Sequence, residues 1–138
     1  MFFNEKKNNG NIDELTQIAA LLIHAAKIDE DFTHEEEEII TKFLLKIGAS
    51  VNNVKKVIED AKKIEKKSNQ ILEFTKKVKK MSEEKKINIV ETLWKIIYSN
   101  NNADDYESNL MRRLGGLLYI DNKIMGDIKE KIKKEQSR

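Results

Sequence analysis

The sequence predicts an all-α protein, a single compact bundle of about seven helices built as two pseudo-repeated helix-turn-helix halves. Three observations carry this reading. The 138 residues contain no proline and five glycines, so the two strongest helix breakers are scarce. Apolar residues recur at three- and four-residue spacing between short polar turns. An acidic turn, Ile28 to Glu36, is echoed in the second half at Ser99 to Glu107, each with a helix-capping pattern.

Residues 1–10, rich in Asn and Lys, read as a flexible N-terminal segment, and the helical domain is expected over 11–135. Asn11 can cap the first helix, with Leu15, Ile18, Ala19, Leu22, Ala25 and Ala26 as its apolar stripe. Thr33 and Glu36 form a Thr-x-x-Glu capping box for the second helix, which carries Ile39, Ile40, Phe43, Leu44 and Ile47 and ends at Gly48. Ser50 caps the third, with Val51, Val54, Val57, Ile58, Ala61 and Ile64 spaced along it. A short fourth helix holds Ile71, Leu72, Phe74, Thr75 and Val78. Ser82 opens the fifth, whose apolar face includes Ile87, Val90, Leu93, Trp94, Ile97 and Tyr98. Asp104 caps the sixth with Glu107 at its third position, and Asp121 or Asn122 caps the seventh, which carries Ile124, Met125, Ile128 and Ile132.

The repeat can be counted. With residues 18–61 laid on 89–132, 15 apolar positions coincide where chance gives 10, which favours an internal duplication.

Composition excludes several functions. Without cysteine there is no thiol chemistry, disulfide or cysteine-ligated metal. The longest apolar run, Ile18 to Ile23, is far short of a membrane span, and the start lacks a secretory pattern, so a soluble cytoplasmic protein is expected. Net charge is +2 but unevenly spread: residues 1–50 carry −5, residues 51–86 carry +6 and the remainder +1. Such polarity can steer a partner or reflect solvated helix faces.

Candidate sites follow from these charges. Asp29, Asp31 and Thr33 alternate like the first ligands of a calcium loop, but His34 stands where that loop needs glycine and Ile40 where it needs glutamate. Thr33, Glu36, Asp104 and Glu107 read first as caps. A composite divalent-cation site would need both turns to meet, with Asp29, Asp31, Glu36, Asp104 and Glu107 supplying oxygens. His24 reads as a packed or half-exposed helix residue, and neither His24 nor His34 has a zinc-site spacing. No nucleophile elbow or phosphate loop occurs; Gly115-Gly116 falls inside the sixth helix, where it permits close packing. Lysine pairs from Lys55-Lys56 to Lys85-Lys86 could bind phosphate, yet interleaved Glu59, Asp60, Glu65 and Glu73 favour a solvated face and disfavour nucleic acid.

The first turn, together with Glu91 to Tyr98 and Tyr106 to Leu114, resembles the TerB-like family, the small stand-alone relatives of tellurite-resistance protein TerB, over roughly Leu15 to Lys133. The resemblance implies an all-helical domain, no established enzymatic activity and an association with tellurite or chemical stress. Family members carry Asp-Gly at each turn. Here Asp29-Glu30 and Asn100-Asn101 stand instead, so the second turn loses a carboxylate. The expectation is a non-enzymatic binding, adaptor or sensor domain with a protein partner; a divalent-cation domain is the alternative. Oligomeric state is not set by the sequence.

Overall fold

The computed structural model describes residues 2–27, 32–67, 71–99 and 105–136, and side chains within 12–27, 32–67, 73–99 and 109–135. Seven helices follow in order: α1 (Phe2–Ala26), α2 (His34–Lys46), α3 (Val54–Lys67), α4 (Ile71–Val78), α5 (Glu83–Ser99), α6 (Asp105–Leu117) and α7 (Asn122–Gln136). No strand occurs among the described residues.

The core is organised around α1. A single apolar stripe is expected from its sequence, but Ala20, Leu21 and Ile23 are buried along with Leu15, Ile18, Ala19, Leu22, Ala25 and Ala26. A helix apolar on all sides must be wrapped by others, and α2, α3, α4 and α5 all pack on it. The most extensive contacts are α1 with α3, and α5 with α7. Helix also extends upstream of the expected Asn11 cap, to Phe2.

The pseudo-repeat is visible in the helix bounds. Laying the cap Thr33 on Asp104 carries His34–Lys46 onto Asp105–Leu117, so α2 and α6 correspond end for end. Their C-terminal hydrogen bonds correspond too. The Ile47 amide donates to the Phe43 carbonyl at 3.1 Å and the Ala49 amide to Leu44 at 2.8 Å. At the matching positions of the second half, the Leu118 amide donates to Leu114 at 2.8 Å and the Ile120 amide to Gly115 at 2.9 Å. Both ends close with a left-handed residue, as this kind of cap requires. It is Gly48 in the first (φ 130°) and Tyr119 in the second (φ 59°).

Local signals place most helix starts. The Ser50 hydroxyl accepts from the Asn53 amide at 3.2 Å while Asn53 Oδ1 accepts from the Ser50 amide at 2.9 Å. This reciprocal turn delays α3 to Val54 and leaves Val51 exposed, not on the apolar face expected for it. The Lys85 amide donates to Ser82 Oγ at 3.2 Å, and the Lys123 amide to Asp121 Oδ1 at 3.1 Å, so Ser82 and Asp121 act as the caps of α5 and α7. Gly115 lets α6 lie against α7: a Cβ there would stand 3.0 Å from Met125 Cγ, whereas one on Gly116 meets nothing within 4 Å. Close packing is thus the role of the first glycine alone.

Candidate functional site

Of the five carboxylates proposed for a cation, the structure describes the side chain of one. Glu36 is buried, and its Oε1 accepts hydrogen bonds from the Thr33 amide (2.8 Å) and hydroxyl (3.0 Å), while the Glu36 amide donates to Thr33 Oγ1 at 3.1 Å. This is the expected capping box, with Thr33 extended at φ −81° and ψ 161°. Asp29, Asp31 and Asp104 lie outside the described residues, as does the side chain of Glu107. Among the described residues no three His, Asp or Glu side chains are grouped to hold a metal.

The lining of the grooves beside α2 fixes how α2 and α5 are arranged. Phe43 and Ile47, late in α2, face Lys85 and Ile89, early in α5, while the groove reaching Ile39 extends to Lys95. The two helices therefore run antiparallel. The start of α2 and the end of α5, which border the two acidic turns, lie at the same end of the pair.

A second cluster joins α1 to α3. His24, half-buried, sits with Nδ1 3.0 Å from Glu65 Oε2, and Lys27 Nζ donates to Glu65 Oε1 at 2.8 Å. The His24 ring lies 5.1 Å from that of Phe74 on α4. Burial pushes the Glu65 carboxyl up, but the hydrogen bonds and charges of Lys27 and His24 outweigh it and hold the group below the usual glutamate range. His24 is the packed helix residue its sequence suggests. Glu65 is not the solvated diluent expected among the lysines. Its place was readable, because Ile58, Ala61 and Glu65 fall on one helical face.

The charge polarity is partly satisfied within the chain. Lys77 pairs with Asp13, Lys85 with Glu14 at 2.9 Å, and Lys62 with Glu37 at 2.6 Å. The Glu37 hydrogen bond, against some desolvation, raises Lys62 above the usual lysine range. Basic middle and acidic first third thus fold onto each other. Lys86 departs further from a solvated face: it is buried, and its Nζ donates to the Leu118 carbonyl at 2.9 Å, closing the end of α6. Lys76, Lys77, Lys79 and Lys80 do gather with Gln17 and Glu73 around a shallow depression at the end of α4. His34 is exposed and pairs with Glu38 at 3.3 Å.

The groove between α2 and α5, about 200 Å³, has a different character. Ile39, Phe43 and Thr92 line it together with Lys42, Lys46, Lys95, Asn88 and Glu91. Glu91 is bound by Lys131 at 3.3 Å from the neighbouring helix α7. A second hollow of about 210 Å³, among α1, α2 and α5, shares Phe43 and is floored by Leu15, Ile18, Ile47 and Ile89. Nothing in the sequence placed these lysines together, since Lys95 stands on a different helix, far along the chain from Lys46.

Among the described residues no helix is long and apolar enough to cross a membrane. A family model described as tellurite resistance protein TerB matches residues 15–130. No curated protein and no solved structure gives a match.

Proposed function

The chain belongs to the TerB family, and from that premise we propose that it is a non-enzymatic binding module, an adaptor or sensor in the cytoplasmic response to tellurite or wider chemical stress. The observation that carries this reading is the pair of adjoining apolar hollows on a helical core, the first of them rimmed by lysines. Concave apolar surface with a few placed charges is the usual form of a recognition site. A strain lacking the chain is expected to lose tolerance to tellurite and to regain it with the wild-type gene. Unchanged tolerance would sink the stress role, and turnover by the purified protein that a single carboxylate substitution abolishes would sink the non-enzymatic one.

The antiparallel run of α2 against α5 supports a second reading, a divalent-cation domain, because the start of α2 and the end of α5, the helix ends that border the two turns in sequence, lie at one end of the pair. Asp29, Asp31, Asp104 and Glu107 would supply the oxygens, with Glu36 already committed to its cap. Titration calorimetry with calcium, magnesium, manganese and zinc tests it. Heat no greater than dilution, or binding that survives Asp29→Ala combined with Asp104→Ala, counts against the site. Nucleic-acid binding by the lysine-rich middle is disfavoured, since Lys62, Lys77 and Lys85 are held by carboxylates and Lys86 is buried.

A further inference from the structure

We infer that the α2–α5 groove docks an acidic amphipathic segment of a protein partner, its bulky apolar side chains entering beside Phe43 and its carboxylates meeting Lys42, Lys46 and Lys95. The inference deepens the binding-module reading and rests on it.

Charge complementarity selects the occupant. Lys42 and Lys46 stand four residues apart on α2, one turn above the other on the same face, and Lys95 stands on the opposite wall. None of the three has a carboxylate partner among the described residues, in contrast to Lys62, Lys77 and Lys85. The one carboxylate in the lining, Glu91, is taken up by Lys131. Both walls therefore present ammonium groups that the fold leaves unneutralised, and a ligand of either no charge or positive charge gains nothing from them.

The floor argues that this ligand is not a bare anion. Ile39, Phe43 and Thr92 offer no backbone amide nest and no arginine fork, the devices that hold phosphate or sulfate. Lysines over apolar floor instead match a helix or extended peptide that carries leucine-sized residues on one face and glutamate or aspartate at its edges. Two adjoining hollows, of about 200 and 210 Å³, give room for two such anchors, with Phe43 shared between them. Glu14 is already bound to Lys85 at the lip of the second hollow, so the free charge is concentrated at the first.

The test uses the full chain and a labelled synthetic peptide several helical turns long, with leucine at positions i, i+3, i+4 and i+7 and glutamate at the flanking positions. Fluorescence anisotropy should show saturable binding that weakens with salt and falls roughly tenfold or more in K42E/K46E/K95E. Lys42 and Lys46 are exposed and Lys95 is half-exposed, and circular dichroism checks that the variant stays folded. Backbone amide shifts in a ¹⁵N-labelled sample should move at Ile39, Phe43 and Thr92. The lysine-for-glutamate peptide, the same composition with leucines scattered, inorganic polyphosphate and phosphatidylglycerol vesicles should all bind at least several-fold more weakly. Absence of saturable binding, affinity indifferent to the triple reversal, or stronger binding of polyphosphate or vesicles would overturn the proposal. If that happens while the tellurite phenotype of the deletion strain stands, the occupant is wrong and the binding-module reading survives.

Discussion

His24 Nδ1 lies 3.0 Å from Glu65 Oε2, tying the last turn of α1 to the last turn of α3 across the most extensive helix contact in the fold. The carboxylate has a second hold on the end of α1 through Lys27 at 2.8 Å. Its folded pKa lies below its ordinary value of about 4.5, so the charged form is what the folded state favours. The stability this contributes is complete above the unfolded value and is lost as pH falls through the folded one. Glu65→Gln should therefore lower stability at pH 7 by about 1–2 kcal/mol, kept modest by the partial exposure of Lys27. Urea titrations from pH 7 down to 3 should show the wild type and the variant converging at the acid end. Curves that stay parallel would refute the assignment.

Lys86, on α5, is a second buried charge. It is buried on the helical face that also carries Val90 and Leu93, and its ammonium group ends on the Leu118 carbonyl. Lys86→Met keeps the stem and removes the donor, which should cost about 1–3 kcal/mol by equilibrium urea unfolding with an unchanged m value. An exposed lysine a few positions earlier, Lys80→Met, should change stability by less than about 0.5 kcal/mol.

Tyr119 occupies the position that Gly48 fills in the first half, with positive φ and an exposed ring. A side chain there strains against its own backbone, and glycine does not. Tyr119→Gly is expected to raise stability by about 1 kcal/mol, and Tyr119→Val to lower it. The reverse order in thermal denaturation would show that the ring makes compensating contacts.

The two glycines of α6 should respond differently to alanine. Gly116 has open space for a methyl group, so Gly116→Ala should gain about 0.5–1 kcal/mol of helix propensity. At Gly115 the methyl would press on Met125 at 3.0 Å, and the repacking cost should cancel that gain. Equal stabilisation by both would mean that α7 moves aside freely.

These residues also show what the sequence made legible. Caps are local, so Thr33, Glu36, Ser82 and, as one of two neighbouring candidates, Asp121 could be read from spacing alone. The pseudo-repeat was readable for the same reason, in coincident caps and apolar positions. Glu65 and Lys86 read as surface charges although each continues an apolar stripe, Ile58-Ala61-Glu65 and Lys86-Val90-Leu93. A charged residue in phase with the core signals a buried partner. The lysine-rimmed groove had no such trace, because it exists only once α2 and α5 lie side by side.

Trp94, the only tryptophan, is buried on α5 with its ring stacked 5.7 Å from Tyr98 and Lys129 of α7 5.4 Å above it. Its Nε1 has no hydrogen-bond partner among the described residues. The chain therefore has a single indole fluorophore, and it reports on the seam of the second half alone, while the His24–Glu65 seam stays dark. Agreement between tryptophan emission and far-ultraviolet circular dichroism along an unfolding curve would consequently measure whether the two pseudo-repeated halves melt as one cooperative unit.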